Sequence, residues 1–325
     1  MKHYRLGTSG LQVSALVIGG MSFGDPHRGS HSWTLDIERS RPLVRQAIDA
    51  GITTFDTANV YSNGSGEEIL GRLIGEHAKR EDVTIATKVH GRMRPGPHSA
   101  GLSRVAIFRA IDESLHRLGT DYVDLYQIHR FDPEVPVEET MEALHDVVKS
   151  GKVRYIGASS MYAWQFASMQ HAADLGGWTR FISMQDQYNL ISREEEREMH
   201  PYCLETGVGV LPWSPLARGK LTRDWDDETG RSATDEFAKT LYRQTEDSDR
   251  RVVDAVARVA ADRGISRAQV ALAWVAQQPA VSAPIIGATQ PHHLTDAIAA
   301  VELHLTDEEL TLLTEHYTPH AVEGF

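Results

Sequence analysis

Cysteine is almost absent from this chain, and the absence is informative. The single Cys203 cannot form an intrachain disulfide, and without a CxxC pair there is no thiol redox centre or zinc ribbon. No window approaches the roughly 18 consecutive apolar residues of a membrane span, and Met1 to Arg5 leads into a polar turn without an apolar secretory core. The expectation is a soluble, cytoplasmic protein. Basic charge is also short: 33 Lys and Arg face 45 Asp and Glu, for a formal net charge of -12. That balance repels phosphate backbones, which argues against nucleic acid or an anionic membrane as partner. A local basic pocket for one small anion remains compatible with it.

Other signals are missing too. No Gly-x-Gly-x-x-Gly turn follows an apolar run, no Pro/Ser-rich linker divides the chain, and no Gly-Asp-Gly motif of the thiamine-diphosphate kind occurs. The sixteen histidines include His27 with His31 and the adjacent His292 and His293. Neither pair has a third ligand at metal-site spacing, so no metal is expected. Asn63-Gly64-Ser65 matches a glycosylation sequon but reads as a turn. Glu194 to Glu198 reads as an exposed helical face, with Arg193 and Arg197 balancing its charge.

What is present is 325 residues, 41% hydrophobic, with short apolar runs alternating with longer amphipathic stretches. A hairpin comes first, Tyr4 to Leu6 and Leu11 to Val13 around Gly7-Thr8-Ser9-Gly10, as a lid or plug. Strands are predicted at Leu16 to Gly19, Thr53 to Asp56, Thr84 to Lys88, Tyr122 to Ile128, Tyr155 to Ala158, Ile182 to Gln185, Val208 to Leu211 and Pro284 to Ile286. Arg104 to Leu118, Val137 to Ser150 and Val252 to Arg263 have helical periodicity between them. Eight such units fit an α/β fold, a (β/α)8 TIM barrel in one domain spanning 1–325, whose usual length is about 250 residues before insertions. A two-domain doubly wound protein is the rival architecture. The long polar stretch from Leu216 to about Ser248 falls after the seventh strand, on the face where barrels carry their sites, and Tyr317 to Phe325 reads as a surface arm.

Ionisable and polar groups stand at successive strand ends: Asp56, Lys88, His129, Ser159, Ser160 and Gln185. In a barrel these ends converge, and a buried Asp and Lys at neighbouring ends most simply pair. Tyr61 follows Asp56 closely enough to reach the same mouth. A phenol is a poor proton donor at neutral pH unless a cation assists it, and Lys88 would be that cation. With His129 as a second hydrogen-bond donor, the chemistry points to attack on a carbonyl. A Schiff base on Lys88 is the alternative, opposed by the Asp partner that holds the amine charged.

Phe55-Asp56-Thr57-Ala58-Asn59-Val60-Tyr61 followed by Gly66-Glu67-Glu68-Ile69-Leu70-Gly71 resembles the signature of the aldo-keto reductases. Ile85-Ala86-Thr87-Lys88, Leu125 to Arg130, Gly151 to Ser159, Trp213 to Gly219 and Pro284 to Gly287 resemble further segments of that family. Gly157 to Met161, Gln185 to Leu190 and Val322 to Phe325 look most like its bacterial YajO-type branch. The resemblance implies a nicotinamide-dependent carbonyl reductase acting on a small-molecule aldehyde or ketone, with NADPH as cofactor and NADH possible. It makes Tyr61 the proton donor, Lys88 and Asp56 its tuning pair, and His129 the group that orients the carbonyl. Ser159, Ser160 and Gln185 would hold the carboxamide, Trp213 would stack on the nicotinamide, and Gly20, Met21, Ser214, Pro215, Leu216 and Gly219 would line the cofactor path with Ile286 and Gly287. Three positions depart from the common pattern: Thr289 in place of a basic residue, Ala297 in place of Asn, and Ser160 in place of Asn. Arg218, Lys220, Lys239 or His293 would then supply the cation for a 2′-phosphate. Phe23, Trp33, Val89, Phe131 and the Leu221 to Tyr242 loop are expected around the substrate mouth. Some members of the family keep the fold and cofactor as regulatory or redox-sensing subunits, which is the second reading of function. Oligomeric state is not read from the sequence.

Overall fold

The computed structural model describes residues 1–29, 32–227, 240–242 and 245–323. Strands β1 (His3–Arg5) and β2 (Gln12–Ser14) pair antiparallel. They are followed by eight strands in one parallel sheet: β3 (Val17–Gly19), β4 (Thr54–Asp56), β5 (Thr84–Val89), β6 (Val123–Ile128), β7 (Val153–Ser159), β8 (Phe181–Gln185), β9 (Gly209–Val210) and β10 (Ile285–Ile286). β10 pairs with β3, so the sheet order wraps round. The last gap closes where Ser282 N donates to Val210 O at 2.8 Å and Ile285 N to Pro212 O at 2.9 Å. The result is the predicted (β/α)8 barrel, with its two closing strands shorter than expected.

The outer helices are α1 (Ile37–Asp49), α2 (Ser65–His77), α3 (Arg104–Leu118), α4 (Val137–Lys149), α5 (Ala163–Gly176), α6 (Met199–Thr206), α7 (Glu246–Arg263), α8 (Arg267–Ala276), α9 (Pro291–Ala300) and α10 (Asp307–Thr314). Local chemistry sets their ends. Ser103 accepts from Ala106 N at the start of α3, and Gly119 at φ 66° ends it. α7 begins six residues before the predicted Val252, because Glu246, Asp247 and Asp249 form an acidic first turn that the reading assigned to the loop.

Strand alternation divides the core. Ile85, Tyr126 and Ile156 face outward to the helices, whereas Val17, Ala86 and Leu125 fill the interior with Leu6 and Val13 of the hairpin. The hairpin is a plug at the amino ends of the strands. Thr8 N bonds Gly207 O at 2.8 Å and Ser14 N bonds Thr54 Oγ1 at 2.9 Å. Gly7, at φ 58°, leaves no room for a side chain: a Cβ there would lie 2.2 Å from Gly207 O. A third apolar cluster joins α7, α8 and α10 to Tyr188–Ile191 and Tyr242.

The predicted exposed face at Glu194–Glu198 is corrected in part: Arg197 and Glu198 are exposed, but Glu195 is buried. Only Glu194–Glu196 coils, as a 3-10 turn, and Glu195 is 8% exposed. The C-terminal arm docks on the first residue of the turn: Tyr317 OH donates to Glu194 at 2.8 Å, and His320 N donates to the same oxygen at 3.1 Å. Arg193 and Arg197 do pair with Glu196 and Glu194. Gly324, Phe325, His31, Lys239 and most of the 228–244 stretch lie outside the described residues. No helix among them is long and apolar enough to cross a membrane, and no group of three or more His, Cys, Asp or Glu is placed to hold a metal ion.

Candidate active site

The carboxyl ends of β4, β5, β6, β7 and β8 converge as their pairing register requires, with Lys88 opposite Gln127 and Ser159 opposite Gln185. Asp56 and Lys88 form a fully enclosed ion pair, 2% and 0% exposed. Such a pair holds only if its remaining polar valences are met. Here they are. Lys88 Nζ also donates to Thr57 O at 2.9 Å, and the second Asp56 oxygen accepts from Gln127 Nε2 at 2.9 Å and Gln185 Nε2 at 2.8 Å. Burial pulls the Lys88 amine toward neutrality, but Asp56 and Tyr61 outweigh it and hold the ammonium above the usual lysine range. A charged amine is no nucleophile, which disfavours the Schiff-base alternative.

Tyr61 is carried by a 3-10 turn, Tyr61–Gly64, that leads into α2, with Asn63 in the sequon at φ 48°. Its ring lies 5.2 Å from Lys88 Nζ and 5.8 Å from the His129 ring, edge to face. Burial, then Lys88, Arg130 and His90, depress His129 well below the ordinary histidine range, so its imidazole is neutral at physiological pH.

These groups border a cavity of about 680 Å³. At one end stand Tyr61, His129, Ser159, Gln185 and Trp213. Ser159 Oγ donates to Gln185 O at 2.7 Å, and the Trp213 indole N–H donates to Ser160 Oγ at 3.0 Å, which fixes the ring. The wall then passes Ser214, Pro215, Leu216, Arg218 and Gly219 to Ile286, Gly287, Thr289 and His293, with Met21 on the near side. Gly20 lies between the lining residues Gly19 and Met21, Lys88 beneath the floor, and Ser160 behind Trp213.

Four positions predicted at the mouth are corrected. Val89 follows Lys88 on a strand, so the side chain that sends Lys88 inward sends Val89 outward into the helix-facing core. Phe23 is 0% exposed because Gly24 N and Leu35 N tie its segment to residues 22 and 35, burying the ring in that same core. Phe131 packs on Trp164, ring centroids 6.2 Å apart, and neither it nor the half-buried Trp33 lines the cavity. Lys220 is likewise absent from the lining, its ammonium lying 3.7 Å above the Trp225 ring.

Sequence reasoning passed over other members of the wall. Arg223, Ser266, Arg267 and Ala268 line its far end, the last three from the N-terminus of α8. The signal was Ser266 as an N-cap preceding a basic residue, a pattern suited to a phosphate. Gln127, at the end of β6, was quoted only within a motif, yet it donates to Asp56. The cavity thus has amide and hydroxyl groups at one end and guanidinium groups with a helix N-terminus at the other. That donor set fits an elongated nicotinamide dinucleotide.

Residues 15–318 match the model of the aldo/keto reductase family. The chain belongs to that family. It is 46% identical to a versiconal hemiacetal acetate reductase of Aspergillus parasiticus over 99% of this chain and 98% of that one. It is 41% identical to an aldo-keto reductase of Fusarium vanettenii (98% and 92%) and 42% identical to one of Alternaria alternata (98% and 93%). These aldo-keto reductases are fungal, and none bears on a bacterial YajO-type branch. As an aldo-keto reductase the chain is an oxidoreductase of a family that uses nicotinamide cofactors and reduces carbonyl groups.

Proposed function

We propose that this aldo-keto reductase converts an aldehyde or ketone to an alcohol, with NADPH as cofactor and Tyr61 as proton donor. The observation that carries the reading is the Lys88 ammonium, held charged between the Asp56 carboxylate and the Tyr61 ring at the floor of the cavity. A nicotinamide held by Ser159, Gln185 and Trp213 would supply hydride for the carbonyl carbon. The developing negative charge on the carbonyl oxygen meets two donors, the Tyr61 hydroxyl and the neutral His129 imidazole. Tyr61 gives up its proton, and the adjacent ammonium stabilises the phenolate left behind. Gln185 and Ser159 would hold the carboxamide, while Trp213, braced by Ser160, offers a flat face for the ring. Arg218, Arg223, Arg267 and His293 line the cavity and would supply the cations for a 2′-phosphate in place of the basic residue that Thr289 replaces. The likeness of residues 157–161, 185–190 and 322–325 to the YajO-type branch remains a proposal about ancestry within the family.

Titration with NADPH and then NADH by tryptophan fluorescence, followed by an aromatic aldehyde, tests the assignment. Quenching followed by nucleotide oxidation is expected, with NADPH preferred. In Tyr61→Phe the quenching persists while kcat falls by about 10²–10⁴-fold. Full activity in that variant rejects the proton donor, and quenching without oxidation across a carbonyl panel favours the regulatory reading.

A further inference from the structure

The wall of the cavity beside His129 carries a charge that the reaction above leaves unused. Arg130 lines the cavity together with Tyr61 and His129. Among the described residues its guanidinium makes one hydrogen bond, Nη1 donating to the His129 carbonyl oxygen at 2.6 Å. The nearest acidic residue in sequence does not neutralise it. Asp132 turns its carboxylate to the backbone, accepting from Leu102 N at 2.8 Å and Glu134 N at 3.0 Å. Among the described residues no carboxylate forms an ion pair with Arg130.

The half-buried guanidinium thus keeps most of its five donors available on the cavity wall, where an anionic group of a ligand could replace water. The cations at the far end of the cavity have a different character. Arg267 is paired with Asp224 at 2.6 Å, and that end presents a helix N-terminus suited to nucleotide phosphate. Arg130 stands instead with the two groups that would hold the reacting carbonyl. We propose that Arg130 is a specificity-determining residue that pairs with a carboxylate of the substrate, so that the preferred substrates are aldehydes or ketones bearing an anionic group. The inference rests on the carbonyl site assigned to Tyr61 and His129. The planar fork of arginine suits bidentate capture of a carboxylate, which lysine matches only as a point charge.

The test compares 4-formylbenzoate with its uncharged methyl ester as substrates of wild type, Arg130→Met and Arg130→Lys. Wild type is expected to favour the acid, with the difference in KM and diminished by salt. Arg130→Met should lower the acid-to-ester ratio of kcat/KM by about ten- to a hundredfold, and Arg130→Lys should restore part of it. In parallel, benzoate should bind the protein more tightly than benzamide, with and without NADP⁺, and Arg130→Met should abolish that difference. A ratio unchanged in Arg130→Met while the ester is still reduced overturns the proposal and leaves the reductase intact. If neither aldehyde is reduced but the benzoate preference still depends on Arg130, the anion site stands and the carbonyl assignment falls. Loss of both effects rejects both.

Discussion

Two buried ion pairs sit on opposite sides of the same strand. Inside the barrel Lys88 meets Asp56; outside it, the next residue back, Thr87, donates at 2.6 Å to Glu67, whose other oxygen accepts from Arg117 Nε at 2.6 Å. Both carboxylates are enclosed and fully partnered, and both would pass a search for buried charge. What separates them is what lies beyond. The Asp56–Lys88 pair opens onto a cavity with Tyr61 above it, whereas the Glu67–Arg117 pair is closed in by α2 and α3. A buried charge becomes chemically useful through its free side, and the alternation of a β-strand decides which side that is.

Breaking the inner pair should have the largest effect on turnover. Lys88→Met is expected to reduce kcat by about 10²–10⁴-fold per nucleotide-binding molecule, because the phenol loses its cation. Single-turnover oxidation of NADPH measures this. Breaking the outer pair should act on stability alone. Glu67→Ala strands Arg117 and should cost about 3–5 kcal/mol in denaturant unfolding, with kcat per folded molecule within about threefold of wild type. A fall in kcat as large as that of Lys88→Met would erase the distinction. The smallest effect sharpens it: Thr87→Val, one residue from Lys88, removes a single donor to Glu67 and should cost about 1–3 kcal/mol, with turnover retained.

The sequence carried much of this. Strand ends were legible because each apolar run stops on a polar group that a closed sheet brings to one rim, as Asp56, Lys88 and Gln185 do. The inner placement of Lys88 also fixes the outer placement of Val89, so expecting both at the mouth contradicted the strand's own period. Arg223 and Arg267 were less accessible. They reach the cavity from a loop and from the start of a helix; Ser266 marks that helix start in the sequence, but nothing local to either arginine says which cavity it will face. Glu194 looked exposed, but two of its partners come from residues more than a hundred positions later, Tyr317 and His320. Contacts that span the chain leave little trace in either partner's neighbourhood.

The plug at the barrel floor has a consequence during synthesis. Leu6 and Val13, fully enclosed in the finished molecule, leave the ribosome well before most of the barrel, for the partner of Thr8 lies 199 residues later at Gly207. The final strand of the wall comes later still, at Ile285–Ile286. Before Gly207 is made the hairpin can bond only to early wall residues such as Thr53, Thr54 and Thr84, and the later part of its apolar cover, Leu211, Ala283 and Ile285, is still missing. Closing so long a loop before its contacts form is entropically costly and slow. The hairpin, made before the barrel wall, is thus among the last elements to reach its place, and a nascent chain halted before Gly207 has a sheet with neither its complete floor nor its closing seam.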